Sequence, residues 1–230
     1  MVQCGELIIF HMQKAQTQKS FWEGMSHEDH FRVAIFGSAR IEKDDALYKQ
    51  VRDLAHEIGK RDIDLVTGGG PGLMDAANFG HSIAQNGNSH SIGLTIDLPM
   101  EAHANKHLDL KKHFHKFSSR LDTFMELSDI AVVVPGGIGT CLELFYTWQL
   151  AQVKHTANTP IILMGEMWHE LIKWVRKYPL KDGLISAHDL DNIFCVNTQE
   201  EALALILKFY EGHEEGMEEY SLTNLVPKFS

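Results

Sequence analysis

No Cys-x-x-Cys pair occurs in this chain, whose three cysteines (Cys4, Cys141, Cys195) lie far apart. That excludes a disulfide framework and fits a reducing compartment, so a cytoplasmic protein is expected. There is no excess of basic residues either: 21 Lys and Arg face 31 Asp and Glu, for a formal charge of −10. Broad nucleic-acid binding needs a basic footprint and is not expected, although one local cationic pocket remains compatible with that total. No apolar run approaches the roughly 18 residues of a membrane span, so no membrane partner is expected. The opening "CGELIIF" (4–10) lacks a basic n-region and a small-residue cleavage site, and no targeting segment is expected there. Neither G-x-G-x-x-G nor G-x-x-x-x-G-K-[ST] occurs, which leaves a dinucleotide enzyme or a P-loop ATPase unsupported.

What the chain does have is 44% hydrophobic residues over 230 positions, enough for one well-cored domain. Residues 1–30 read as an N-terminal extension with Phe21 and Trp22 as packing anchors, 31–211 as the main domain and 212–230 as an acidic tail. From residue 32 the pattern is regular. Short apolar runs (32–37, 63–70, 90–96, 129–137, 160–165, 192–196) alternate with segments of helical spacing at 44–60, 73–85, 118–128, 140–152 and from 198 onward. Strands separated by helices imply right-handed crossovers and a parallel sheet. Continuous rather than alternating apolar runs imply a sheet covered on both faces. The expected fold is therefore α/β: a single-domain, Rossmann-like, doubly wound parallel sheet with helices on both faces.

Ligands of such sheets collect at the carboxyl ends of the strands. Three glycine-bearing ends stand there: "FGSAR" (36–40), "TGGGPGLMDAAN" (67–78) and "PGGIGTCLE" (135–143). Glycine is costly wherever a side chain could pack, and unpaired amides at a helix start carry partial positive charge. The two glycine loops leading into helices are thus candidate phosphate cradles, with Ser38, Gly68, Gly69, Gly70, Gly72, Gly136, Gly137, Gly139 and Thr140 as candidate binding residues. Tight strand-to-helix turns without a ligand are the alternative. Thr140-x-x-Glu143 has two readings: a capping box, or a carboxylate at the mouth of a phosphate loop, where a helix start favours its charged form.

Arg120, in "KFSSRLDTFMELSD", stands just before the most apolar strand. The fourteen histidines include "HFH" at 113–115 and the pair His103/His107, but no H-E-x-x-H and no carboxylate at matching spacing. No metal and no cofactor are expected. Cys141 falls in a helix's first turn, with no histidine near it in sequence to make it a nucleophile.

Pro135-Gly136-Gly137-Ile138-Gly139-Thr140-Cys141-Leu142-Glu143 and Gly68-Gly69-Gly70-Pro71-Gly72-Leu73-Met74 together resemble the LOG ("Lonely Guy") phosphoribohydrolases, across roughly residues 31–210. "FGSAR" and "SIGLTIDLPMEAHAN" resemble the longer bacterial members. The resemblance implies hydrolysis of the N-glycosidic bond of a nucleoside 5′-monophosphate, such as AMP or a cytokinin riboside monophosphate, to free base and ribose 5-phosphate. It implies Arg120 and Glu143 as the catalytic pair, and a homodimer or higher homo-oligomer. Leu121 stands where the family usually has lysine. The same loops also resemble carrier proteins for the molybdenum cofactor, so a non-catalytic binder of a phosphorylated ligand is the second expectation and an oligomeric scaffold with a regulatory nucleotide site the third.

Overall fold

The computed structural model describes residues 30–84, 87–97, 104–153 and 159–214. Phe21, Trp22, His103 and the end of the acidic tail lie outside them. Seven parallel strands run β1 (Arg32–Phe36), β2 (Asp64–Thr67), β3 (Ser91–Ile96), β4 (Leu110–Phe114), β5 (Ile130–Val133), β6 (Ile161–Met164) and β7 (Ile193–Val196). Their order in the sheet is β4-β3-β2-β1-β5-β6-β7. The helices are α1 (Ala46–Gly59), α2 (Leu73–Ser82), α3 (Phe117–Leu127), α4 (Ile138–Gln152), α5 (Glu166–Val175) and α6 (Gln199–Glu214). Among the described residues no helix is long and apolar enough to cross a membrane.

Successive residues of β1 serve opposite faces, as the period of two requires. Val33 and Ile35 join a core that takes in Val51, Leu54 and Ile58 of α1, Ala76 of α2 and Ile206 of α6. Phe36 faces the other way and meets Phe124 of α3 edge-on at 5.0 Å, a geometry that adds about 1 kcal/mol to simple burial. The sheet is covered on both sides, which is why its central strands read as unbroken apolar runs.

Strand β4 went unseen in the sequence, where residues 103–115 read as a histidine-rich segment. The reason is its position: it is an edge strand whose middle residues Lys111, Lys112 and His113 face solvent, so no apolar run marks it. Exposed lysines on an edge discourage pairing with other chains.

The amino end of the sheet is closed by carboxylates. Asp129 accepts from the Arg32 amide at 2.7 Å, Asp64 from the His90 amide at 2.7 Å, and Asp109 from the Ser91 amide at 2.8 Å. Each takes up a backbone donor where the strand ladder begins, satisfying a group that burial would otherwise make costly. The fully buried Arg32 and Asp64 side chains also pair at 3.4 Å.

The carboxyl end is where the strand order reverses. From β1 the chain steps outward through β2, β3 and β4, then returns through α3 to place β5 on the other side of β1. The crevice between the ends of β1 and β5 is the switch point. Here the Ser38 amide donates to the Pro135 carbonyl at 3.2 Å, tying the two strand-end loops together.

Candidate active site

A cavity of about 440 Å³ occupies that crevice. The β1 loop contributes Gly37 to Arg40; α3 contributes Phe117, Arg120 and Leu121; the start of α4 contributes Gly137 to Thr140, with Leu142 and Glu143 one turn on.

Arg120 is held from below. Its Nε donates to the Leu94 carbonyl of β3 at 2.7 Å, and its guanidinium carbon stands 5.3 Å over the Phe124 ring. The side chain is 8% exposed, and its Nη2 lies 3.6 Å from Glu143 Oε1. A guanidinium anchored on one nitrogen and charge-paired through another is fixed in orientation, which a lysine at this position could not match.

Glu143 owes its place to where α4 begins. The helix starts at Ile138 with Gly137 as its cap, no side chain caps it, and its first internal bond runs from the Cys141 amide to the Gly137 carbonyl at 3.0 Å. Thr140 is thus already inside the helix and buried, and the capping-box reading of Thr140 and Glu143 does not hold. The carboxylate faces Arg120 instead. A working capping box does exist in the chain: the Glu201 amide donates to Thr198 Oγ1 at 3.2 Å, and Glu201 Oε2 accepts from the Thr198 amide at 3.3 Å.

The amides at the start of α4 point into the crevice end of the helix, where the helix dipole favours an anion. Gly137 and Gly139 matter for access. A Cβ added at either would meet nothing within 4 Å, so a ligand can approach the backbone there. Gly136 is different: a Cβ on it would collide with the Thr140 side chain.

The structure therefore gathers Ser38, Gly137, Gly139 and Thr140 around the cavity with Arg120 and Glu143. Gly136 sits behind them. It does not bring Gly68, Gly69 and Gly70 to the cavity lining. Those three are buried and already engaged. The Gly69 amide donates to Thr67 Oγ1 at 2.9 Å, the Gly69 carbonyl accepts from the Asn105 amide at 2.8 Å, and the Gly70 carbonyl accepts from Asn105 Nδ2 at 3.0 Å. Gly68 leaves the space that the Arg120 guanidinium fills. Gly72, at φ +67°, lets the loop pass against the Ser38–Ala39 backbone and lines a second hollow with Tyr48 and Asp75.

Arg40 is a charged cavity residue not singled out from sequence. It is exposed, and its amide donates to Ser38 Oγ at 3.1 Å. Only its place in "FGSAR", at the end of a central strand, marked it. Leu121 lines the wall as an apolar residue, 5% exposed. Cys141 is a free thiol outside the cavity lining.

A family model described as "possible lysine decarboxylase" matches residues 74–206, more than half of the chain. The chain belongs to that family, the LOG family. It is 30% identical over 142 residues to the pyrimidine/purine nucleotide 5′-monophosphate nucleosidase of Escherichia coli K12; the match takes in 58% of this chain but only 30% of that enzyme. With the cytokinin riboside 5′-monophosphate phosphoribohydrolase LOG3 of Arabidopsis thaliana it shares 24% identity over 196 residues, 84% of this chain and 89% of the plant protein. Among solved structures, the molybdenum cofactor binding protein of Rippkaea orientalis superposes with a TM-score of 0.60 at 17% identity, covering 79% of this chain and 98% of that one. The last likeness concerns the fold alone. The protein carries a Rossmann-like sheet with its cavity at the strand-order switch.

Proposed function

We propose that the protein hydrolyses the N-glycosidic bond of a nucleoside 5′-monophosphate. The observation that carries this reading is the Arg120–Glu143 pair at 3.6 Å, set above the uncapped start of α4 in one cavity. The 5′-phosphate binds the amides around Gly137, Gly139 and Thr140, with Ser38 and Arg40 across from them. Bound there, it supplies remote binding energy that holds the ribose against Glu143.

The bond from C1′ to the base nitrogen breaks with its electron pair leaving on the base, and positive charge builds on C1′ and the ring oxygen. The Glu143 carboxylate stabilises that charge and orients a water molecule, whose oxygen bonds to C1′. The water's lost proton is balanced by protonation of the departing base. Arg120 fixes the carboxylate and contacts the sugar or phosphate. The products are free base and ribose 5-phosphate.

The exposed apolar residues Ile138, Leu142 and Phe145 follow one another along α4 and would be covered in a homodimer or higher homo-oligomer. The free thiols Cys141 and Cys195 suit a reducing cytosol. Residues 1–30 and 212–230 are assigned as an extension and an acidic tail around a domain at 31–211.

A second reading, a carrier of a phosphorylated ligand, is favoured by Leu121, which makes the wall apolar where a cation would assist chemistry. One experiment separates the two. AMP and adenosine are incubated with the protein at matched concentration, and free base is followed by chromatography. Cleavage of AMP alone is expected. Equal cleavage of both removes the phosphate site from the mechanism, and binding of AMP without base release establishes the carrier.

A further inference from the structure

The carboxyl end of the β3–β4 edge carries a group of side chains that the proposed hydrolysis does not use. Parallel pairing sets Thr95 of β3 beside His113 of β4. Because side chains alternate, Asp97 and His115, each two residues on, lie on the same face as that pair. One ligand atom from each of Asp97, His113 and His115 falls within 4.8 Å of the other two. The sequence alone argued against a metal because no carboxylate stood at a useful spacing from the histidines. The sheet provides one from the neighbouring strand.

The hydrogen bonding around His113 points the same way. Thr95 Oγ1 donates to the Lys112 carbonyl at 3.4 Å and lies 3.2 Å from His113 Nδ1. A hydroxyl whose proton is committed to a carbonyl accepts from Nδ1–H, which leaves a lone pair on Nε2. That nitrogen is 3.3 Å from Asp97 Oδ2. Two lone-pair atoms at this distance call for a positive charge between them, either a proton or a metal ion. The separation matches the edge of a tetrahedral site with bonds of about 2.0–2.1 Å. His115, whose ring lies edge-on to His113 at 5.1 Å, is exposed and free to turn its nitrogen into the same site. The Thr95 contact is the outer hydrogen bond that commonly fixes the tautomer of a metal-bound imidazole.

We infer that Asp97, His113 and His115 bind one divalent transition-metal ion, Zn²⁺ being the best match to two imidazoles and a carboxylate. Hard cations such as Mg²⁺ and Ca²⁺ prefer an all-oxygen set and are poor candidates. Three protein ligands leave at least one coordination position open to water or another ligand. The site lies two residues before Phe117, at the root of α3.

The test uses the full chain, stripped with a chelator and titrated with Zn²⁺ by calorimetry, and with Co²⁺ by visible absorption. One saturable equivalent is expected, with a cobalt spectrum free of thiolate charge-transfer bands. His113→Ala/His115→Ala should weaken that equivalent by about 100-fold or more and Asp97→Asn by at least about tenfold, while Thr95→Val, which touches only the outer hydrogen bond, should weaken it by about tenfold. His188→Ala removes an exposed histidine that pairs with Asp191 at 3.0 Å, and should leave it unchanged. Melting temperatures in chelator should equal the parent's, showing that the variants fold. The inference is overturned if no equivalent binds. It is equally overturned if the double variant retains the equivalent or His188→Ala abolishes it.

Discussion

Gly68 and Arg120 share one space: a Cβ on Gly68 would occupy the position that Arg120 Nη2 holds beside Glu143. The glycine loop after β2 thus serves the site by leaving room for a cation that comes from a different helix.

Gly68→Ala should therefore damage turnover more than folding. The atoms its Cβ would meet, Arg120 Nη2 and Met74 Sδ, are the far ends of long side chains that can give way, so the stability loss should stay near 1 kcal/mol. Turnover of AMP should fall by at least about tenfold, because a small misplacement of a positioning group is enough to do so. Calorimetric melting alongside base release checks this, and parent-like turnover would show that the guanidinium does not need its observed position.

Glu143→Gln should keep AMP affinity and lose on the order of 100-fold in turnover, as expected for an interaction made chiefly in the transition state. Arg120→Ala should reduce both affinity and rate. Titration calorimetry with AMP and chromatography of released base, run on each variant, separate the two patterns.

Arg40→Ala should raise KM for AMP while largely preserving kcat, since this exposed side chain lines the end of the cavity proposed for the phosphate and has no contact with Glu143 among those described. The effect should shrink at high ionic strength, where exposed charges are screened. Initial rates at two salt concentrations decide it; a fall in kcat alone would move Arg40 to the reacting end.

The pH dependence of stability should contain a contribution from His90. The Asp64 carboxylate, with Oδ1 3.4 Å from His90 Nδ1, holds the His90 pKa above the usual histidine value, against the effect of partial burial. A raised folded-state pKa means that the stabilisation is full below about pH 6.5 and fades as pH rises through the folded value. His90→Gln should accordingly destabilise the protein at pH 5.5 and much less at pH 9. His81 acts in the opposite sense, since burial lowers its pKa and its protonation in acid favours unfolding. Part of that lowering comes from the positive charge on His90, so His90→Gln also relieves His81 a little in acid, a smaller effect that opposes the loss at pH 5.5.

Two Thr-x-x-Glu stretches show how far the sequence could be read. At 140–143 the motif sits inside a helix that begins earlier, at a glycine, and its glutamate belongs to the cavity. At 198–201 the same pattern is a true cap. Thr198→Ala should cost about 1 kcal/mol of stability without altering AMP turnover, as thermal melting and base release would show. Spacing alone could not distinguish them, because the difference lies in which residue first adopts helical geometry.

The central strands were legible because burial on both faces leaves continuous apolar runs; of the glycine-bearing strand ends, those after β1 and β5 line the cavity, whereas Gly68, Gly69 and Gly70 after β2 serve packing instead. Strand β4 was not legible, since its pattern LKKHF serves only one covered face. The parts played by Gly68 and Asp97 were hidden for a related reason. Each acts on a residue from another element, Arg120 in one case and His113 in the other, and no local pattern encodes that meeting.

The carboxylates Asp64, Asp109 and Asp129 hold the end of the sheet opposite the cavity. Robustness and chemistry therefore occupy opposite poles of the molecule. Random mutagenesis confined to the loops after β1 and β5 could reshape substrate choice without loosening the scaffold, and substitutions around the acidic pole could raise or lower heat resistance while leaving catalysis alone. The chain is in this sense prepared for divergence, with a changeable rim carried on a separately secured base.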